Sequence, residues 1–280
     1  MRDLEKYKGV IPAFYACYED NGEVSPERTK AFVRYLMEKG VKGLYVCGSS
    51  GECIYQSKEE RKLILESVME EAKGKLTIIA HVGCNNTADS RELAAHAESV
   101  GVDAIASIPP IYFHLPDYAI ADYWNDISAA APNTDFIIYN IPQLAGVALT
   151  LPLYKKMLEN PRVIGVKNSS MPVQDIQMFK DVAGDDSVVF NGPDEQFAGG
   201  RIMGADAGIG GTYAVMPELF LAVDKAVCTG DFKKAKEILR GKGMDIGGVR
   251  KPLPEIIEED KPQIQICGKM IEDAIAGLKG

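Results

Sequence analysis

Residues 43–74 read GLYVCGSSGECIYQSKEERKLILESVMEEAKG, and the fold follows from the order of features in this stretch. It opens with an apolar run, Gly43–Cys47, that does not alternate with polar residues, as expected of a strand buried on both faces. A Gly/Ser loop comes next. Ser57 and Glu60 then stand three apart as a capping box, and Leu63, Ile64, Val68 and Met69 line the apolar face of the helix behind it. The stretch is one strand–loop–helix unit.

The same unit recurs outward in both directions. Apolar runs stand at Gly9–Tyr15, Thr77–His81, Ala104–Ile108, Phe136–Tyr139, Val163–Lys167, Val188–Asn191 and Ala207–Gly210. Between them, Ser25-Pro26 caps and starts a helix that Gly40 stops, and Thr87 opens another that runs to Gly101. Further helices are predicted over 117–131, 151–159, 172–182, 194–203 and 216–228. Strand starts about 20 to 35 residues apart fit βα units. Eight of them predict an α/β fold, a closed (β/α)8 TIM barrel with extra C-terminal helices. An open doubly wound sheet would carry a phosphate-type glycine loop after its first strand, where this chain has YEDNGE (18–23). The barrel is assigned to residues 1–228. Residues 229–280, with Pro252, Pro254 and Pro262, form a helical extension of the same domain.

Composition narrows the function. With 280 residues, 46% apolar and 25% charged, the chain is an ordinary globular one that can bury most of its surface without a covalent staple. Its 31 basic and 40 acidic residues leave a charge of −9, which argues against a nucleic-acid surface. No 18-residue apolar run is present, and MRDLEKYKG lacks the apolar core of a signal peptide, so no membrane partner and a cytoplasmic location are expected. Cysteines 17, 47, 53, 84, 228 and 267 have neither CxxC nor zinc spacing and read as scattered buried thiols. His81, His96 and His114 have no ligand partner at i+3 or i+4, so no metal site is expected.

In a barrel, reactive groups gather at the carboxyl ends of strands. Cys47-Gly48-Ser49-Ser50-Gly51-Glu52 is either a plain turn or a nest for a carboxylate. Tyr139 at the fifth strand end either packs as a lid or passes protons. Lys167 closes the apolar run Val163–Lys167 and is the most informative residue in the chain. An amine buried in a barrel is commonly held neutral and used as a nucleophile, the alternative being a side chain that snorkels to solvent. Asp194 and Glu195 after the seventh strand could bind hydroxyls, cap the next helix or ligate a metal. The glycine-rich run GIGGTY (208–213) marks close backbone approach to a ligand or a tight barrel corner.

Taken together and in this order, GLYVCGSSGE (43–52), IIAHVGC (78–84), YNIP (139–142), GVKNSS (165–170), NGPDE (191–195) and GIGGTY (208–213) resemble the N-acetylneuraminate lyase branch of the dihydrodipicolinate synthase superfamily. The resemblance runs through most of the chain and implies a Schiff-base aldolase that cleaves N-acetylneuraminate to N-acetylmannosamine and pyruvate. It implies that Lys167 forms an imine with the 2-keto carbon and that no other cofactor is used. Ser49 and Ser50 would hold the carboxylate, and Tyr139 would shuttle protons. Ser169, Gly192, Asp194 and Glu195 would bind the hydroxylated tail. Tyr112 matches a family tyrosine near the active site and subunit contact, and a homotetramer is implied.

One feature separates the branches, and two depart from the lyase pattern. Leu144 stands where dihydrodipicolinate synthases carry an arginine for a second carboxylate, so that substrate is not favoured. Gly211 stands where lyases commonly have a serine, so one tail contact is missing. The chain also reads about twenty residues short between GDFKKA (230–235) and KEILR (236–240), on the order of one helix. The alternatives are a related aldolase or dehydratase of the 2-keto-3-deoxygluconate or dihydrodipicolinate type, and a catalytically impaired barrel that binds a keto acid or serves as an oligomer partner.

Overall fold

The computed structural model describes residues 3–231, 234–235, 238 and 258–278. Eight parallel strands, β1 (Gly9–Pro12), β2 (Gly43–Val46), β3 (Thr77–His81), β4 (Ala104–Ser107), β5 (Asp135–Asn140), β6 (Val163–Asn168), β7 (Val188–Asn191) and β8 (Ala207–Gly210), form one sheet. Neighbours in sequence pair from β2 to β8, and β1 returns to pair with β8 from Gly9↔Ala207 to Pro12↔Gly210. The ring meets at a thin seam, where the Phe14 N–H donates to Tyr45 O at 2.9 Å and the Lys42 N–H to Val10 O at 3.2 Å. The result is the expected (β/α)8 barrel.

Helices α1 (Pro26–Lys39), α2 (Lys58–Ala72), α3 (Thr87–Val100) and α4 (Asp117–Ala130) follow the first four strands. Then come α5 (Pro142–Ala145), α6 (Leu151–Leu158), α7 (Asp175–Ala183), α8 (Phe197–Ile202), α9 (Pro217–Cys228) and α10 (Lys261–Gly277). The punctuation works as read. Ser25 accepts from the Arg28 N–H, Gly40 ends α1 in the left-handed region, and both arms of the Ser57/Glu60 capping box are made.

Some expectations need correction. The helix read over 194–203 is a 3-10 turn, Asp194–Gln196, followed by the short α8, and α7 begins at Asp175 rather than at 172. Only Cys17 and Cys47 are buried; Cys53 and Cys84 are half-buried and Cys228 and Cys267 exposed, so the uniform reading of buried thiols does not hold. The junction read as shortened, residues 230–240, falls largely outside the described residues.

An outer and an inner core hold the barrel, and a further cluster around Phe197, Tyr213 and Phe220 packs α9 against β1. The outer core lies between sheet and helices, around Trp124, Phe32, Leu36, Val68 and Phe179. The inner core fills the interior with Ile11, Ile79, Ile137, Ile164, Val188 and Ile209. Tyr7, from a 3-10 turn at Glu5–Tyr7, plugs its N-terminal end, with its hydroxyl 2.8 Å from both Asp103 O and an Asp135 carboxylate oxygen. The plug leaves the opposite end for chemistry. α10 packs on α9 through Ala274, Ile275 and Leu278. Among the described residues no helix is long and apolar enough to cross a membrane.

Candidate active site

At the carboxyl ends of the strands lies a cavity of about 350 Å³. Ser49 and Ser50 reach it from the β2 loop, Tyr139, Ile141 and Gln143 from β5 and beyond, and Lys167, Ser169 and Met171 from β6 and its loop. Gly192, Pro193, Asp194 and Glu195 follow β7, while Ala13, Ile209 and Gly211 complete the wall. Nine of the ten residues singled out in the sequence line this wall. Tyr112 does not; it is 83% exposed.

Lys167 stays inside. It is only 4% exposed, which removes the snorkelling alternative. Pairing of β5 with β6 sets Tyr139 opposite Lys167, and Nζ lies 3.6 Å from the centroid of the Tyr139 ring and 5.2 Å from that of Tyr45. Nζ also donates to Ser169 Oγ at 3.4 Å. Gly192 makes room for that hydroxyl, since a Cβ there would fall 1.9 Å from Ser169 Oγ. The Tyr139 ring is packed, and it faces the amine.

Amides lock the two strand ends. Asn140 Nδ2 donates to Asn168 Oδ1 at 2.7 Å, and Asn140 Oδ1 accepts from the Leu149 N–H at 2.9 Å. Asn168 Nδ2 donates to Ser170 Oγ, which in turn donates to Asp175 at 2.7 Å. Neither asparagine was singled out in the sequence. The signal was present as an amide directly after Tyr139 and after Lys167, at positions where a buried strand needs a reason to be polar.

The Ser49/Ser50 loop turns tightly on itself. The Gly51 N–H donates to Gly48 O and the Glu52 N–H to Ser49 O, both at 3.0 Å, while Cys47 and Glu52 adopt φ of 57°. Gly48 is needed because a Cβ would fall 2.5 Å from the Tyr45 ring. Both serines remain on the cavity wall.

Asp194 does not cap its own helix. One carboxylate oxygen accepts from both the N–H and the hydroxyl of Thr212 at 2.7 Å, so it caps the 3-10 turn Thr212–Ala214 after β8. Burial pushes its carboxyl above the usual range, against the pull of Thr212 and Lys167. The glycines of GIGGTY serve this approach, because a Cβ at Gly210 would meet the other Asp194 oxygen at 2.0 Å. Tyr15, which sequence reasoning missed, donates to Gly211 O at 2.7 Å, and burial pushes its phenol up to about 12. Glu195 is exposed at the rim. Among the described residues no three of His, Cys, Asp and Glu gather as a metal ion would require.

The wall thus joins a buried amine, a phenol ring against it, two hydroxyls on a tight loop, and two acids from the turn after β7. The sequence pattern of the dihydrodipicolinate synthetase family matches residues 6–264. N-acetylneuraminate lyase of Mediterraneibacter gnavus is 58% identical over 300 residues, covering 98% of this chain and 95% of that protein. Among solved structures, wild-type Ruminococcus gnavus sialic acid aldolase superposes with a TM-score of 0.93 at 59% identity, covering 96% of this chain and 98% of that one. A catalytic lysine mutant of the same aldolase gives 0.94 at 58% identity, covering 98% of each chain.

Proposed function

The chain belongs to the dihydrodipicolinate synthetase family, and from that premise we propose that it is a class I aldolase cleaving N-acetylneuraminate to N-acetylmannosamine and pyruvate. The observation that carries this reading is the buried Lys167 amine lying 3.6 Å from the Tyr139 ring centroid within a cavity that also holds two serines and two acids. The R. gnavus aldolase, whose variant is described as a catalytic lysine mutant, is consistent with a lysine in this role.

Lys167 attacks C2 of the open-chain keto acid, and the C2 oxygen leaves as water to give an imine. Ser49 and Ser50 hold the C1 carboxylate. The C4 hydroxyl then loses its proton, through Tyr139 and the substrate carboxylate, as the C3–C4 bond breaks. The bond electrons move into the protonated imine as an enamine, so the sink is the protein's own amine and no added cofactor is called for. N-acetylmannosamine departs as the aldehyde. Protonation at C3 and hydrolysis release pyruvate and restore Lys167. Ser169, Gly192, Asp194 and Glu195 receive the hydroxylated tail.

Leu144 counts against a dihydrodipicolinate-type substrate. It is 62% exposed and lies off the cavity wall, so it offers no anchor for a second carboxylate. The active form is a cytoplasmic homotetramer in this reading.

Borohydride with pyruvate should reduce the imine and leave a three-carbon adduct on Lys167, read by peptide mass. Lys167→Ala should keep its thermal midpoint but show no adduct, and cleavage should fall by at least about 10³-fold. An adduct elsewhere, or undiminished cleavage by the alanine variant, would overturn the mechanism.

A further inference from the structure

His81 is buried, 3% exposed, and has no part in the chemistry above. It projects from β3 into the barrel, and its ring meets Tyr139 edge to face, with centroids 6.1 Å apart at 88°. Tyr45 meets Tyr139 in the same way at 5.8 Å and 83°. Tyr45 and His81 themselves lie 6.3 Å apart, so the two rings form one cluster against Tyr139, with the Lys167 amine over the Tyr139 face.

The hydrogen bonds of His81 determine its tautomer. The Ile108 N–H points at Nε2 at 3.3 Å, and a backbone amide can only donate, so Nε2 carries the lone pair. Nδ1 then holds the proton and donates to Cys47 O at 3.1 Å. The Arg61 guanidinium, 3.4 Å from Nδ1, cannot bond there as well and instead donates to His81 O at 2.7 Å. Arg61 is itself buried and donates to Gly83 O at 2.9 Å, which ties down the residue next to the ring. Burial, Arg61 and Lys167 all hold His81 in its neutral form. Gly83 completes the seat, because a Cβ there would stand 3.1 Å from Nε2.

We propose that His81 is a positioning residue for the aldol step: a ring of fixed tautomer whose perpendicular packing sets the Tyr139 phenol against the reacting bond. This role rests on the aldolase reading of the site. A side chain fixed at both nitrogens and pressed against a proton-transfer group needs no contact with substrate to matter, since small misplacements of a relay slow the step it serves.

Two variants test it. His81→Asn keeps a donor for Cys47 O but removes the ring, and Gly83→Ala keeps the imidazole while crowding both its Nε2, 3.1 Å from the added Cβ, and Ser107 Oγ, at 2.7 Å. Each should lower kcat on N-acetylneuraminate by about 10- to 100-fold, leave KM within about threefold, and still let Lys167 take the full pyruvate adduct on long incubation. Thermal midpoints measured alongside separate this from unfolding. Unchanged kcat in both folded variants, a rise in KM alone, or a loss that merely tracks the unfolded fraction overturns the role of His81 and leaves the aldolase reading standing. A wild-type chain that forms no adduct overturns both.

Discussion

At Asp194 the proposed contact with the sugar tail and the stability of the fold pull apart, and pH exposes the conflict. Burial raises its carboxyl above the ordinary carboxylate range, so the native chain binds that proton more tightly than the unfolded one. Its contribution favours the fold below the ordinary range and is lost as pH climbs through the raised value. Asp194→Asn keeps an acceptor for Thr212 and has no such contribution to lose. Its thermal midpoint should therefore gain on the wild type as pH rises above the ordinary carboxylate range. Turnover should go the other way, with kcat/KM on N-acetylneuraminate down about tenfold or more for a lost charge-assisted hydrogen bond. A midpoint that falls behind wild type as pH rises would contradict the account. The sequence carried Asp194 as an acid after a strand, but its partner could not be read from it. Thr212 is eighteen residues away and arrives only through the β7–β8 crossing.

At the level of elements, strands and helix caps were legible because they are local. A continuous apolar run marks a doubly covered strand, and Ser57 with Glu60 marks a helix start, wherever they fall in the fold. What the sequence hid is set by neighbours in space. In β6, Phe136 pairs with Val163 and Ile137 with Gly165, so Ile164 is passed over. Gly165 also runs so close to β7 that a Cβ would lie 1.8 Å from Val188 O. Since the obstacle is backbone in a central strand, no rotamer change relieves it. Gly165→Ala should therefore cost more than about 4 kcal/mol and appear as insoluble protein or a collapsed thermal midpoint. Lys167 lies two residues further along the same strand, so any soluble fraction should take the pyruvate adduct poorly. A soluble variant with a near-wild-type midpoint would show that β6 can yield where the packing says it cannot.

For the molecule as a whole, eight repeats, a plugged N-terminal end and reactive side chains at the other were all implied by periodicity except the plug. Tyr7 sits in a short 3-10 turn that no period announces. Matching a motif put Tyr112 near the active site and the subunit contact, and within a single chain it stands outside the cavity wall. Its conformation is costly, with φ of 84° for a non-glycine residue. It is 83% exposed, its neighbour Phe113 is 72% exposed, and their rings pack on each other at 4.9 Å. An apolar pair held in solvent on a strained backbone is what a subunit contact leaves uncovered when one chain stands alone. The tetramer implied by the family should therefore form through this face, and light scattering should give a mass roughly four times the 30.5 kDa chain. Tyr112→Asp with Phe113→Asp should lower that mass while each barrel stays folded, because neither side chain belongs to a core cluster. A wild-type monomer at micromolar concentration, or a double variant that assembles as before, would place the contact elsewhere.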